Sequence, residues 1–154
     1  MAKENHKLIT LFLGLFYSLF FSVVIAFIIY LFLEKKYFVG PIFLVSSFVV
    51  LLPLFFRKDR KKIFKLLKSE LVFGFIDNGF LAVTALVGAE FFGILGAVIG
   101  ALLGNALTDG LAGAFEGHYA HKGYGRDALV SALGKLSGCL FGGGLILLLA
   151  WTLF

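Results

Sequence analysis

Two pairs of acidic and amide residues lie within long apolar stretches of the chain. Asp77 directly precedes Asn78 in one stretch, and Asn105 lies four residues before Asp109 in the next. A carboxylate is costly inside a membrane, so an ionisable residue there is a functional candidate by default. Carboxylate and amide oxygens suit hard cations such as sodium, calcium, magnesium or manganese. The sequence therefore predicts a cation-binding layer in which Asp77 and Asp109 supply the charge.

The composition indicates a membrane protein. Of 154 residues, 60% are hydrophobic and 15% are charged, and the mean hydropathy is +1.01. The sequence pI of about 9.4 comes from basic residues beside apolar segments. Anionic lipid headgroups are therefore the expected partner, and nucleic acid is not. Because Cys139 is the only cysteine, an intrachain disulfide is excluded.

Five apolar segments are candidate membrane-spanning helices. They cover Leu8 to Leu33, Phe38 to Phe56, Leu71 to Ala89, Gly93 to about Phe115, and Ala128 to Phe154. The first is too long for the apolar region of a cleaved signal and lacks an A-x-A cleavage pattern, so it is expected to remain as a helix. Only Glu90 to Phe92 separates the third segment from the fourth, which predicts a tight, glycine-rich helical hairpin.

These segments predict an all-α polytopic membrane protein with about five transmembrane helices. The expected organisation is a two-helix amino-terminal membrane segment (1–56), a basic amphipathic cytoplasmic linker (57–70) and a three-helix membrane core (71–154). In the linker, Lys and Arg alternate with Ile63, Phe64, Leu66 and Leu67, as in a helix lying along headgroups. A solvated run of charges that sets topology explains the same residues.

The distribution of basic residues predicts the orientation. With five spans, one face holds 2, 7 and 2 Lys or Arg residues in its three segments, and the opposite face holds only Lys35 and Lys36. The positive-inside rule places the richer face in the cytoplasm. The expected location is the cytoplasmic membrane, with the amino terminus inside and the carboxyl terminus outside.

The intramembrane polar residues are expected at a common depth. At 1.5 Å per residue, Asp77 lies roughly 9 Å, Asn105 roughly 12 Å and Asp109 roughly 6 Å from the cytoplasmic side. Lys135 comes to roughly 11 Å. By helical phase Asn105, Asp109 and Glu116 share one flank, whereas Gly93, Gly96, Gly100 and Gly104 lie on another. We therefore expect Asp77 and Asp109 to face each other across the hairpin.

Several of these residues have a structural interpretation as well. Lys135 could pair with Asp77 or Asp109 as a structural ion pair, although two carboxylates and one lysine leave a charge of minus one to be compensated. The glycine spacing is typical of close helix packing, and exposure of carbonyls to an ion is the alternative. Glu116, His118 and His121 have a spacing seen in metal sites, or form a polar loop at the cytoplasmic mouth.

Two motifs resemble those of a known family. Phe75-Ile76-Asp77-Asn78 matches F-x-D-N, and Gly104-Asn105-x-x-Thr108-Asp109 resembles G-N-x-x-S-D, in the order found in the transmembrane protein sixty-five family. The resemblance covers about 74–117, under a third of the chain. It implies cation exchange or its regulation, since mitochondrial members are implicated in sodium-dependent calcium efflux. It also implies Asp77, Asn78, Asn105, Thr108 and Asp109 as site residues. The lack of an Arg/Ser-rich, acidic-poor presequence indicates a prokaryotic relative.

The expected function is transport or exchange of a small hard cation, with no cofactor beyond the bound ion. Asp77 and Asp109 supply charge, Asn78, Asn105 and Thr108 supply neutral oxygens, and Glu116 sits at the inner mouth. Five helices leave little room to enclose a path, so a homodimer joined through glycine faces is expected. The alternative is a membrane scaffold or regulatory subunit held by buried ion pairs. An enzyme is not expected, because no catalytic motif accompanies the histidines.

Overall fold

The fold is almost entirely helical, with no strand, in the part of the chain that the structure describes. The computed structural model describes the backbone of 2–32, 35–57, 60–119 and 127–153, and the side chains of 8–32, 35, 37–57, 60, 61, 63–111 and 127–152. Its helices are α1 (Ala2–Leu31), α2 (Val39–Val50), α3 (Leu52–Phe55), α4 (Arg60–Tyr119) and α5 (Ala128–Leu153), with a 3-10 turn at Lys36–Phe38. The predicted all-α class is confirmed.

Three of these helices contain segments long and apolar enough to cross a membrane. The segments are Leu8–Leu31, Ile63–Leu111 and Ala128–Thr152, and Val39–Phe55 is a shorter apolar stretch. Large apolar side chains point outward along α1, where Phe12 is 62% and Leu19 is 68% exposed. Such faces are suited to lipid rather than to water, because contiguous apolar patches of this size are rare on soluble proteins.

Pro53 accounts for the break between α2 and α3. Leu51 closes α2, and Pro53 lies in the first turn of α3. Proline has no amide hydrogen to donate and its ring collides with the carbonyl four residues earlier, so it is tolerated only at the start of a helix.

The central element is α5, which contacts α1, α2 and α4. It crosses α2 closely, because a Cβ atom added at Gly40 would lie 3.1 Å from the carbonyl oxygen of Gly144. Near the middle of this crossing, Ser137 Oγ donates to the carbonyl oxygen of Ser47 at 2.7 Å. The buried core lies where α5 begins and contains Ile25, Val50, Leu54, Ile63, Leu67, Leu129, Val130 and Leu133.

The chain is non-helical at two residues inside α4. Phe92 has φ −136° and ψ 18°, and Gly93 has φ 59° and ψ −139°. A positive φ of this kind is readily adopted only by glycine. We call 60–91 the first limb of α4 and 94–119 its second limb. Residues of the two limbs contact one another in reverse order, starting with Gly88 and Gly96 next to the break.

The basic residues before the first apolar part of α4 belong to the same continuous helix. Ile63 and Leu67 are only 8% and 9% exposed and join the core, whereas Phe64 is 72% exposed. The apolar face expected of this segment is therefore divided between the protein interior and the outer surface. Its contact with headgroups stays a prediction.

Polar contacts mark one end of the helices. There, Arg57 Nη1 lies 2.7 Å from Asp127 Oδ2. Asp127 also caps α5, since its Oδ1 accepts from the amides of Leu129 and Val130 at 3.2 and 3.3 Å. We call this the basic end. At the opposite end, the rings of Tyr37 and Trp151 meet edge to face with centroids 6.2 Å apart.

Candidate functional site

The two limbs of α4 meet along a line of small and polar residues that we call the seam. On the first limb the seam consists of Asp77, Leu81, Thr84 and Gly88, and on the second of Gly96, Gly100, Gly104 and Thr108. Each line advances by three or four residues, which is one turn of an α-helix. The seam thus begins at glycines beside the break and ends at Asp77 and Thr108.

The glycine end of the seam is closed by backbone contact. A Cβ atom added at Gly96 would overlap the carbonyl group of Gly88, and one added at Gly88 would overlap that of Gly96. A Cβ atom at Gly100 would overlap the carbonyl oxygen of Thr84 in the same way. Close backbone approach of this kind is how small residues join membrane helices.

The other end of the seam is closed by a hydrogen bond between side chains. Thr108 Oγ1 donates to Asp77 Oδ1. Thr108 is only 5% exposed, and its hydroxyl also lies 3.1 Å from the carbonyl oxygens of Gly104 and Asn105. A hydroxyl has one hydrogen and two acceptor lone pairs, so Thr108 can serve one of these acceptors at a time. Rotation of this hydroxyl offers Asp77 either a hydrogen or an oxygen.

Asp109 belongs to a different flank of the second limb. Asn105 Nδ2 donates to Asp109 Oδ2 at 2.8 Å, and both side chains are exposed on the subunit surface. Consecutive residues of an α-helix are about 100° apart, so Asp109 is turned away from the line that carries Thr108. The expectation that Asp77 and Asp109 face each other is corrected accordingly: the hydrogen-bond partner of Asp77 is Thr108.

The structure describes the remaining predicted site residues only in part. Asn78 follows Asp77 and is half-buried. The backbone of Glu116 and His118 lies in α4, but their side chains, and the whole of His121, lie outside the described residues. The predictions made for them therefore stay predictions.

Helix α5 brings a lysine and a cysteine to a neighbouring flank of the first limb. A Cβ atom added at Gly74 would overlap the carbonyl oxygen of Lys135, which places the two backbones in contact. Lys135 Nζ lies 4.8 Å from the centroid of the Phe73 ring, within the range of a cation–π contact. The same Cβ atom added at Gly74 would lie 2.8 Å from the backbone nitrogen of Cys139. The choice of carboxylate partner for Lys135 stays a prediction.

A groove opens beside Asp77 toward the basic end. It has a volume of about 520 Å³ and is lined by Lys65, Lys68, Ser69, Val72, Phe73, Ile76, Asp77, Thr108 and Leu111. Both limbs of α4 contribute to it, and it lies next to the Asp77–Thr108 contact. Sequence reasoning assigned its lysines to a linker that sets topology or lies along headgroups, and did not connect them with Asp77. The three-to-four-residue spacing of Lys65, Ser69, Val72 and Ile76 is the pattern that indicates a shared face.

The arrangement at Asp77 provides oxygen ligands of two kinds. A carboxylate and an adjacent hydroxyl can bind a hard cation directly, or can bind a proton and a hydrogen-bond partner in its place. Among the described residues, no three His, Cys, Asp or Glu side chains converge on one point. No family model matches the chain, and neither a curated protein nor a solved structure matches it.

Proposed function

We propose that the protein transports or exchanges a small hard cation, and that Asp77 and Thr108 form the central part of its binding site. The observation that carries the proposal is the Thr108–Asp77 hydrogen bond inside Ile63–Leu111, a segment apolar enough for a membrane. A carboxylate in such a place marks ion pathways and proton relays in membrane proteins. The resemblance to the transmembrane protein sixty-five family favours the same function.

The length of the α4 segment supports two membrane crossings within it. Its 49 residues would extend roughly 74 Å as one straight helix, whereas a bilayer core is about 30 Å thick. The break at Phe92 and Gly93 divides the segment, and the reversed contacts across it bring the limbs side by side. With Val39–Phe55 as a further crossing, we propose five spans, with the basic end in the cytoplasm.

The charges near the seam favour a bound cation over a purely structural pair. One carboxylate, Asp77, lies in the seam and a second, Asp109, lies on the neighbouring exposed flank, whereas α5 brings a single lysine, Lys135, to the first limb. An uncompensated carboxylate in an apolar medium is strongly disfavoured, so a proton or a cation must complete the balance. Exposure of Asp109 on the subunit surface supports a homodimer in which the second copy covers it.

Rotation of the Thr108 hydroxyl offers a way for Asp77 to bind and release a cation. With its hydrogen directed to Asp77, the hydroxyl stabilises the empty carboxylate. When the hydrogen turns to the carbonyl oxygen of Gly104, 3.1 Å away, a lone pair of Thr108 is free to join Asp77 around a cation. The exchange needs a rotation about one bond and leaves the helices in place. A proton or a second cation could occupy the same carboxylate in turn, and such competition between ions is what a coupled carrier requires.

A membrane scaffold or regulatory subunit is the second candidate. It is favoured by the glycine end of the seam, where the backbones of the two limbs meet without help from any carboxylate. A scaffold requires the seam but tolerates neutral substitution of both aspartates. The two functions therefore differ in what they require of Asp77.

Flux through reconstituted protein separates the candidates. The wild type is placed in proteoliposomes and tested with sodium, calcium, magnesium and manganese, alongside Asp77→Asn and Asp109→Asn. Asp127→Asn is the matched control, because it removes one carboxylate at the α5 cap, away from the seam. We expect cation flux in the wild type and the control, and at least a tenfold loss in Asp77→Asn. Folded Asp77→Asn protein with wild-type flux would contradict the site, and absence of flux for every cation would favour the scaffold.

A further inference from the structure

The groove between the limbs combines a basic mouth with an apolar interior. Lys65 and Lys68 lie at one end of its lining, and Val72, Ile76 and Leu111 form walls farther along. Lys65, Lys68, Val72, Ile76 and Leu111 are all exposed on the subunit surface. A bare cation would be repelled by two lysines at the mouth, so the groove is poorly suited to admit one by itself.

The length of the groove along the first limb is close to the hydrocarbon thickness of one leaflet of a bilayer. Lys68 precedes Asp77 by nine residues, which corresponds to roughly 14 Å along the helix. One leaflet contributes about half of the 30 Å hydrocarbon core. A molecule with its headgroup at the lysines would therefore place its chain along the apolar walls and end near Asp77.

We propose that this groove binds an anionic glycerophospholipid from the leaflet at the basic end. Its phosphate lies between Lys65 and Lys68, and one acyl chain lies along Val72, Phe73 and Ile76. Basic residues next to membrane helices attract anionic headgroups in this manner. The lipid would cover the apolar walls of the groove and place its phosphate beside the two lysines. This site is independent of whether the protein transports an ion.

Matched charge variants test the headgroup contact. The purified protein in neutral detergent is titrated with dioleoyl phosphatidylglycerol, and its unfolding temperature and lipid adducts by native mass spectrometry are recorded. Lys65→Gln/Lys68→Gln should raise the half-saturating lipid concentration by about thirty-fold. Arg60→Gln/Lys61→Gln is the control, because it removes the same charge from exposed residues of the same helix end outside the groove. Its half-saturating concentration should change by less than about threefold. Equal shifts in the two double variants would overturn the proposal.

A second pair of variants tests the chain contact and leaves both lysines in place. Val72→Trp fills the groove, and Val87→Trp adds the same bulk to the same limb outside it; the two valines are 51% and 53% exposed. We expect Val72→Trp to lose the lipid adduct and Val87→Trp to keep it. Retention of the adduct by Val72→Trp would overturn the proposal.

Two further ligands identify the source of the phosphate. Dioleoyl phosphatidylcholine has the chains without net charge, and glycerol 1-phosphate has the charge without chains. We expect each to stabilise the wild type far less than phosphatidylglycerol does. Equal stabilisation by phosphatidylcholine would mean an unselective lipid groove, and equal stabilisation by glycerol 1-phosphate would mean a site for free phosphate, so either result would overturn the proposal.

Discussion

The two ends of the α4 seam differ in what holds the limbs together. At Gly88 and Gly96 the backbones touch, and no atom can be added without overlap. At Asp77 and Thr108 side chains fill the space between the limbs, and a hydrogen bond joins them. The limbs are thus in direct contact beside the break and separated by polar atoms toward the basic end.

This difference shows that one helical spacing can serve two purposes. Gly96, Gly100, Gly104 and Thr108 follow each other at intervals of four residues, so all four occupy the same face of the second limb. The glycines bring the limbs together, and Thr108 uses the same alignment to reach a carboxylate. Packing at one end therefore fixes the geometry of the polar contact at the other.

The largest expected effect on stability comes from adding one methyl group at the glycine end of the seam. Gly96→Ala should destabilise the protein by about 3 kcal/mol, because the new Cβ atom overlaps a backbone carbonyl that cannot move aside. Gly110→Ala adds the same group to the same limb, where it meets nothing within 4 Å. It should stabilise the protein by about 0.5–1 kcal/mol through helix propensity. Unfolding in detergent measures the change in stability for both variants. Equal changes would mean that the limbs do not meet as described.

At the polar end, removal of the Thr108 hydroxyl should have the next largest effect. Thr108→Val leaves the Asp77 carboxylate without its donor and should cost between about 1 and 3 kcal/mol. Thr108→Ser keeps the hydroxyl and should recover most of this loss. Thr84→Val is the matched control, because the Thr84 hydroxyl bonds only carbonyls of its own helix at 3.0 and 3.1 Å. Its unfolding free energy should change by less than about 0.5 kcal/mol. An equal loss of unfolding free energy in Thr84→Val and Thr108→Val would contradict the assignment of Thr108 as the hydrogen-bond partner of Asp77.

A smaller effect is expected at the basic end, outside the seam. Arg57 and Asp127 retain side-chain exposures of 27% and 20%, so solvent weakens their ion pair. Arg57→Gln should cost no more than about 1 kcal/mol, and the cost should shrink in high salt. Asp127→Ala also removes the cap of α5 and should cost about 1 kcal/mol more. Chemical unfolding at low and high salt measures the stability lost in each variant. A loss in Arg57→Gln that does not depend on salt would contradict a solvent-screened ion pair.

The smallest effect on folding is expected at the exposed flank of the second limb. Asp109→Asn retains an oxygen that can accept from Asn105. It should therefore change the unfolding free energy by no more than about 0.5 kcal/mol. If Asp109 instead holds Lys135 in an ion pair, the same change strands a lysine and destabilises the fold with or without ions. Unfolding curves with and without cations distinguish the two results.

The glycine spacing was easier to read from the sequence than the contact at the polar end of the seam. Glycine spacing is read directly from the chain, and the turn expected at Glu90–Phe92 adjoins the break at Phe92 and Gly93, where only a glycine readily adopts the required φ. The partner of Asp77 was harder to predict, because a shift of one residue turns a side chain by about 100° and the choice between Thr108 and Asp109 depends on how the limbs pack.

The continuity of the basic segment with the rest of α4 was also missed. Charge composition suggested a separate linker over 57–70, but no proline or glycine interrupts Arg60 to Phe73. The burial of Ile63 and Leu67 depends on contacts with α5, more than sixty residues later in the chain. Such contacts have no local signal. The polar motifs could be found from sequence, whereas the groove and its lysines required the packed helices.

Cation-dependent unfolding of the wild type and Asp77→Asn tests the central claim most directly. Both proteins are unfolded thermally in detergent with millimolar sodium, calcium, magnesium or manganese, with Asp127→Asn as a control that removes a carboxylate elsewhere. A saturating cation should raise the unfolding temperature of the wild type and the control by about 5 °C or more. It should leave folded Asp77→Asn unchanged. An equal rise in Asp77→Asn, or no rise in the wild type with any cation, would contradict a cation site at Asp77 and Thr108.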